Sequence, residues 1–127
     1  MFENLDVFKM SAAMARHAGQ RQAVIAQNIA NADTPGYVAR DIPPFAANYA
    51  GEADTGQKAT RAMHLNGAVP GQDAPMIKVP GEGAPNGNQV TLEVEILNSV
   101  EAKRQHDRAL AIYKSALNVM RSAIRSK

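Results

Sequence analysis

Three histidines, His17, His64 and His106, are the side chains best suited to moving protons or holding a metal ion near neutral pH. They stand too far apart in sequence for a metal-ligand spacing, and His106 and Asp107 adjoin along a helix, where neighbours point apart. All three read as helix-surface residues, with Arg16 and Arg21 as the local company of His17. Hydrolysis of a glycosidic bond asks for two carboxyls facing each other across a formed cleft. Asp73 and Glu82 are the pair on offer, and both lie in a Gly/Pro-rich stretch that supplies no rigid frame. Gly81-Glu82-Gly83 lacks the third glycine and the following helix of a dinucleotide fingerprint, and neither a Walker loop nor G-x-S-x-G occurs. Zero cysteines exclude disulfides, thiolate zinc sites and cysteine nucleophiles. The reading is therefore of a chain with no catalytic residue, no metal site and no cofactor.

Binding chemistry is better represented. Lys103, Lys114, Arg121 and Arg125 share a helical sector about 40° wide, a basic stripe able to touch phosphates. Asp107 interrupts it, no aromatic residue interleaves with it, and the whole chain carries only +2 from 14 basic and 12 acidic residues. A helical nucleic-acid-binding module on this stripe is the alternative reading; a solvated helix face is the simpler one. Met10, Met14 and Met120 fall at helical spacing and read as core filler rather than a ligand cage.

Two long helices would have to position these groups. From about Asn4 to Ala32 there is no proline and a single glycine, and a helix over this stretch is roughly 43 Å long. Steps of about 100° per residue put Val7, Met10, Met14, Ala18, Ile25, Ile29 and Ala32 in one apolar arc. Leu5, Phe8, Ala12, Ala15, Ala23, Ala26 and Ala30 form a shallower strip beside it, small enough to admit another helix closely. Gly19 costs up to about 1 kcal/mol relative to Ala in a helix interior, so it marks either a close contact or a weak point.

From Thr91 to about Arg125 proline and glycine are again absent, giving a second helix of roughly 50 Å. Thr91 suits an N-cap, Glu93 and Glu95 suit the positive end of the helix dipole, and Arg121, Arg125 and Lys127 suit the negative end. Leu110, Tyr113, Leu117, Met120 and Ile124 repeat at the 3-4-3-4 spacing of a coiled-coil seam. Ile112, Ala116, Val119 and Ala123 widen that arc to about 180°, more than one partner helix covers.

The stretch between is different in kind. All seven prolines and eight of the nine glycines lie from Pro35 to Gly87, which argues against helix. Asn48 to Thr60 has few large apolar residues and is expected to be mobile in the free protein. Arg61–Leu65 and Met76–Val79 are candidate short strands, and Asn86-Gly87 a candidate turn. No apolar run reaches about 18 residues, and Met1-Phe2-Glu3-Asn4-Leu5-Asp6 lacks the basic and apolar regions of a secretory signal. The expected fold is mainly α: an N-terminal helix within 1–32, a Gly/Pro-rich turn and extended segment over 33–90 with at most short β-ribbons, and a C-terminal helix within 91–127. The two helices pack as an antiparallel, coiled-coil-like pair in one structural unit.

The hinge of the chain is Asn28-Ile29-Ala30-Asn31-Ala32-Asp33-Thr34-Pro35-Gly36-Tyr37. Pro35-Gly36 supplies the fixed and the positive φ of a type II turn, Asn31 and Asp33 can close the helix end, and Tyr37 can pin the departing chain. This stretch, continued by Val38-Ala39-Arg40-Asp41-Ile42, resembles the N-terminal signature of bacterial flagellar rod and hook proteins. Ala59-Thr60-Arg61-Ala62-Met63-His64-Leu65 is similar to that family's Thr…His stretch, and Asn86 to Ile96 resembles the start of its C-terminal helix. Leu92-Glu93-Val94-Glu95 with Ala39 to Ile42 points within the family to the proximal rod. Thr91, where the family often has Asp, and the abundance of Gly and Pro in the middle depart from its pattern.

The resemblance implies a structural subunit of the proximal rod of the flagellar basal body, in the periplasm-spanning rod, without cofactor. It implies export through the flagellar type III export apparatus without cleavage. The implied neighbours are the rod proteins FlgC, FlgF and FlgG, the rod adaptor FliE and the MS-ring protein FliF, with no nucleic acid and no membrane insertion. The assembly faces would be Val7, Met10, Met14, Ile25 and Ile29 on the first helix and Leu110, Tyr113, Leu117, Met120 and Ile124 on the second. A peptidoglycan-cleaving enzyme fits the same surroundings but would need the Asp73 and Glu82 pair.

Overall fold

The computed structural model describes residues 2–50 and 74–125. The element order is α1 (Phe2–Ala30), β1 (Arg40–Asp41), α2 (Phe45–Ala50), β2 (Ile77–Lys78) and α3 (Leu92–Arg125). The fold is mainly helical, with α1 and α3 packed along each other. Phe8 stacks on Tyr113 with ring centroids 4.3 Å apart, whereas Asn28 hydrogen-bonds Glu95, so the two helices run antiparallel. Strand β1 pairs antiparallel with β2 in a two-stranded sheet, Arg40 opposite Lys78 and Asp41 opposite Ile77.

The core between the helices is thin. Among the described residues the buried apolar side chains are Ala13, Ala18, Val24, Ile25, Ala39, Ile42, Ala102 and Ala109, none larger than isoleucine. Ser11, Ala18 and Ile25 recur every seven residues on α1, as Glu95, Ala102 and Ala109 do on α3, so each helix keeps one stripe on its partner. Alanines at these positions let the backbones approach closely, and most of what is buried is backbone and methyl rather than bulky side chain.

This seam differs from the sequence expectation. Large apolar residues dominate a periodicity reading, which pointed to Leu110, Tyr113, Leu117, Met120 and Ile124. In the structure Tyr113, Leu117 and Met120 are half-buried, while Leu110 and Ile124 are exposed, Ile124 at 76%. The row that meets α1 is Glu95, Ala102, Ala109, Tyr113, Ala116 and Met120, and it extends well N-terminal of the expected two heptads. On α1, Ala18 and Ile25 are buried and Met14 is half-buried, whereas Val7, Met10 and Ile29 are exposed. A Cβ at Gly19 would meet nothing within 4 Å, so Gly19 is a weak point and not a close contact.

The central segment departs from expectation in two places. Phe45–Ala50 forms a short helix where none was foreseen; Pro43-Pro44 precedes it, and the Ala47 amide bonds the Pro44 carbonyl, a position where the fixed φ of proline suits a helix start. Strand β2 lies within the expected Met76–Val79, but its partner is Arg40–Asp41, extended by a bond from the Val79 amide to the Ala39 carbonyl at 2.9 Å. The expected strand Arg61–Leu65, the stretch Ala59–Leu65, His64, Asp73 and the 51–60 part of the stretch expected to be mobile lie outside the described residues.

Candidate assembly joint

Helix α1 ends in a polar knot built around Asn28, which is fully buried. Its Nδ2 donates to the Arg40 carbonyl at 2.7 Å and to Glu95 Oε2 at 3.0 Å. Its Oδ1 accepts from the Arg40 amide at 3.0 Å and from the Tyr37 hydroxyl at 3.4 Å. The side-chain amide thus pairs with both backbone groups of Arg40 as a neighbouring strand would, and uses its two donors and two acceptor sites at once. Among uncharged side chains of this length only an amide can do this. Glu95, itself buried, ties α3 into the same point.

A second asparagine closes the helix end. Asn88, 3% exposed, donates from Nδ2 to the carbonyls of Asn31 and Thr34 at 2.9 and 2.7 Å, and its Oδ1 accepts from the Val90 amide at 2.8 Å. Each of those carbonyls also accepts a turn amide, from Thr34 and from Tyr37, so Asn88 adds a second donor to each and ties the start of α3 to the end of α1. Asn31 Nδ2 donates to the Gln27 carbonyl at 2.8 Å, and the Thr34 hydroxyl donates to Asn31 Oδ1 at 3.2 Å. Asp33 stays exposed, outside this network.

Two glycine turns lock together beside the knot. The Tyr37 amide bonds the Thr34 carbonyl across Pro35-Gly36, with Gly36 at φ +71°, the geometry of a type II turn. Gly87, at φ +79°, closes the Ala84 to Asn88 turn against the first, and it is this positive φ that calls for glycine, since an added Cβ would make only ordinary contact at 3.5 Å from Gly36 Cα. The Gly36 amide bonds the Asn86 carbonyl at 3.2 Å and the Gln89 amide bonds the Tyr37 carbonyl at 2.9 Å. Through these bonds the end of α1 and the start of α3 are one unit.

The chain leaving the joint runs back along α1 and is held to it by charge and by a histidine. Arg21 Nε and Nη2 meet the two carboxylate oxygens of Asp41 at 3.1 and 3.2 Å, and Asp41 Oδ1 also accepts from the Ile42 amide at 2.7 Å. His17, expected on the surface, is 2% exposed. Its Nε2 donates to the Pro43 carbonyl at 2.8 Å and its ring meets Phe45 edge-on at 5.6 Å. The returning segment covers it, which a helical-wheel argument does not foresee. His106 is half-buried on α3.

Of the residues singled out from sequence, Asn28, Asn31, Thr34, Pro35, Gly36 and Tyr37 meet in this joint. The assembly-face residues do not gather at one place: Ile25 is turned into the intramolecular core, and Val7, Met10, Ile29, Leu110 and Ile124 are exposed along both helices. The basic stripe Lys103, Lys114, Arg121 and Arg125 is exposed, with Asp107 exposed among them. Sequence reasoning missed the burial of Asn88 and Glu95 and the Arg21–Asp41 pair. Glu95 had a signal, its seven-residue spacing with Ala102 and Ala109; Arg21 and Asp41, 20 residues apart across a turn, had none. It also passed over the exposed Leu92, Val94, Ile96, Leu97 and Val100 at the start of α3.

Comparison with known proteins gives this architecture its family. Residues 8–37, the stretch from the Phe8 contact to the joint, match the family described as Flagella basal body rod protein. The flagellar basal body rod protein FlgB of Agrobacterium fabrum is 31% identical over 121 residues, covering 91% of this chain and 90% of the relative. FlgB of Salmonella typhimurium is 32% identical over 115 residues, 83% of each chain, and FlgB of Escherichia coli 31% over 117 residues, 84% of each. With this identity sustained along most of both chains, the chain belongs to the FlgB family of flagellar basal body rod proteins.

Proposed function

We propose that this structural rod protein forms part of the proximal rod and assembles through its terminal helices into a tubular driveshaft. The observation that carries the reading is apolar surface that the helix pair leaves exposed: Val7, Met10 and Ile29 on α1, and Leu97, Val100, Val119 and Ile124 on α3. Side chains of this size gain about 25 cal/mol per Å² on burial, so a long two-helix unit that leaves them wet is completed by neighbours. Contacts that repeat without closing on themselves give a tube. The neighbours proposed are FlgC, FlgF, FlgG, FliE and FliF, reached after export by the flagellar type III apparatus without cleavage. Among the described residues no helix is long and apolar enough to cross a membrane. The nucleic-acid alternative draws no support from the relatives, all of which are named as rod proteins.

Ile124 gives the cleanest test, because its exposure means that a polar substitution leaves the helix pair intact. Ile124→Asp, and with it Leu117→Asp, is expected to abolish rod assembly and swimming while export of the chain persists. Normal swimming by either variant would refute the role assigned to this face.

A further inference from the structure

Asn86-Gly87 carries a chemistry of its own. An asparagine side-chain carbonyl can be attacked by the backbone nitrogen of the next residue, and the reaction is fastest before glycine, where no Cβ shields that nitrogen and the backbone turns freely. Two Asn-Gly pairs occur in the sequence, Asn66-Gly67 outside the described residues and Asn86-Gly87 in the joint. Asn86 and Gly87 are both exposed, so water and hydroxide reach them.

The steps balance with water as the other reactant and with no change of oxidation state. Hydroxide takes the Gly87 amide proton, the nitrogen bonds to Asn86 Cγ, and the side-chain nitrogen leaves as ammonia with a proton from water, closing a succinimide ring. Water then opens the ring at one of its two carbonyls. Opening at Cγ gives aspartate on an unchanged backbone. Opening at the former backbone carbonyl gives isoaspartate, in which the chain runs through the side chain, is one methylene longer, and carries that carbonyl carbon as a free carboxylate.

The closed joint opposes ring closure at each atom the ring uses. The Gly87 amide donates to the Ala84 carbonyl at 2.8 Å, and a succinimide nitrogen carries no hydrogen, so closure abolishes that bond. Asn86 Oδ1 accepts from the Asn88 amide at 3.0 Å, and the Asn86 carbonyl accepts from the Gly36 amide at 3.2 Å. Both of these carbonyls would become part of the ring, so the side chain and the backbone of Asn86 must leave the positions that Asn88 and Gly36 hold. The two products differ in the same terms. Aspartate keeps an oxygen for the Asn88 amide and the backbone carbonyl for Gly36. Isoaspartate inserts a methylene and a charge between the acceptor of Gly36 and Gly87, and the two glycine turns no longer match.

We propose that Asn86-Gly87 is a self-modification site held silent by the closed joint: a chain whose joint stays open converts there to isoaspartate, and the converted chain does not close the joint again. This rests on the joint alone and goes beyond the rod reading.

The full-length chain at high concentration is aged at neutral pH with and without guanidinium chloride, then cut with trypsin. Tandem mass spectrometry follows Asn86 in the peptide 79–103 and Asn66 in the peptide 62–78, and enzymatic methylation counts isoaspartate. In denaturant the two asparagines are expected to convert at similar rates, since local sequence alone acts there. In buffer, conversion at Asn86 is expected to be at least about tenfold slower than in denaturant, because it proceeds only through the opened fraction. Returned to buffer, molecules converted to aspartate are expected to regain the denaturation midpoint of the parent, and molecules converted to isoaspartate to lose it. Conversion of Asn86 far slower than that of Asn66 in denaturant, equal rates at Asn86 with and without denaturant, or an isoaspartate fraction with the midpoint of the parent each overturns the proposal.

Discussion

Replacing Asn28 by Asp keeps the shape of the side chain and reverses half of its hydrogen bonding, which makes it the sharpest test of the joint. The Nδ2 donor that serves the Arg40 carbonyl and Glu95 Oε2 becomes an oxygen facing two acceptors. A buried carbonyl left without its donor costs about 1–3 kcal/mol. Two carboxylates about 3 Å apart repel by roughly 5 kcal/mol at an effective dielectric constant near 20, before relaxation and water entry reduce it. The expected loss is therefore roughly 3–6 kcal/mol, a large share of the stability of a domain this size. Asn28→Ala removes the same bonds but adds no charge, and is expected to cost about 2–4 kcal/mol. The order, Asp worse than Ala, separates a hydrogen-bonding role from simple space filling. Adding Glu95→Gln to Asn28→Asp supplies a new amide donor and is expected to recover about 2 kcal/mol, although the Arg40 carbonyl stays unpaired. Chemical denaturation of the full chain at high concentration, followed by circular dichroism, measures all four, and incorporation into basal bodies gives the functional readout. Asn28→Asp within about 0.5 kcal/mol of the parent, or milder than Asn28→Ala, would refute the account.

Two further outcomes follow from the packing. Gly19→Ala is expected to stabilise the chain by about 0.5–1 kcal/mol, because the added methyl meets no atom within 4 Å and the helix gains propensity; a loss in the denaturation midpoint would show that Gly19 serves a contact made elsewhere. The free chain in dilute solution is expected to show weak hydrogen-exchange protection along α1 and α3 that rises on assembly, since among the described residues no fully buried apolar side chain is larger than isoleucine. Strong protection of both helices in dilute solution would contradict it.

The two long helices and the turn between them were legible because each rests on a local rule. An absence of Pro and Gly over about thirty residues permits a helix, and Pro35-Gly36 stops one. What escaped was everything decided across the chain. The helical wheel favoured large residues and so set Leu110 and Ile124 in the seam, whereas the fold chose Ala102 and Ala109 because two backbones brought close bury more than two held apart by leucines. His17 was read from its own helix, and the segment that buries it, Pro43 to Phe45, returns from 26 residues away. Asn28 and Asn31 were recognised as belonging to a family signature, yet the reason for Asn at 28 became visible only with Arg40 and Glu95 placed around it.

A seam of alanines holds two helices close but does little to fix how they slide. Small knobs in shallow grooves leave a weakly corrugated surface, and a shift of one turn would replace one methyl contact with another of similar size. Register must then come from directional bonds that a shift would break. Asn28 to Glu95 supplies one such pin and Asn88 to the carbonyls of Asn31 and Thr34 another, both at the same end of the pair, with Phe8 against Tyr113 toward the opposite end. Moving α1 by a turn along α3 would leave the buried Glu95 carboxylate, one Nδ2 hydrogen of Asn28 and the buried Asn88 amide without their partners, a cost of several groups at about 1–3 kcal/mol each. A subunit that carries torque needs resistance to this shear more than it needs a thick core. The polar knot provides that resistance within one copy, while on the proposed reading the exposed apolar faces are left to grip the next.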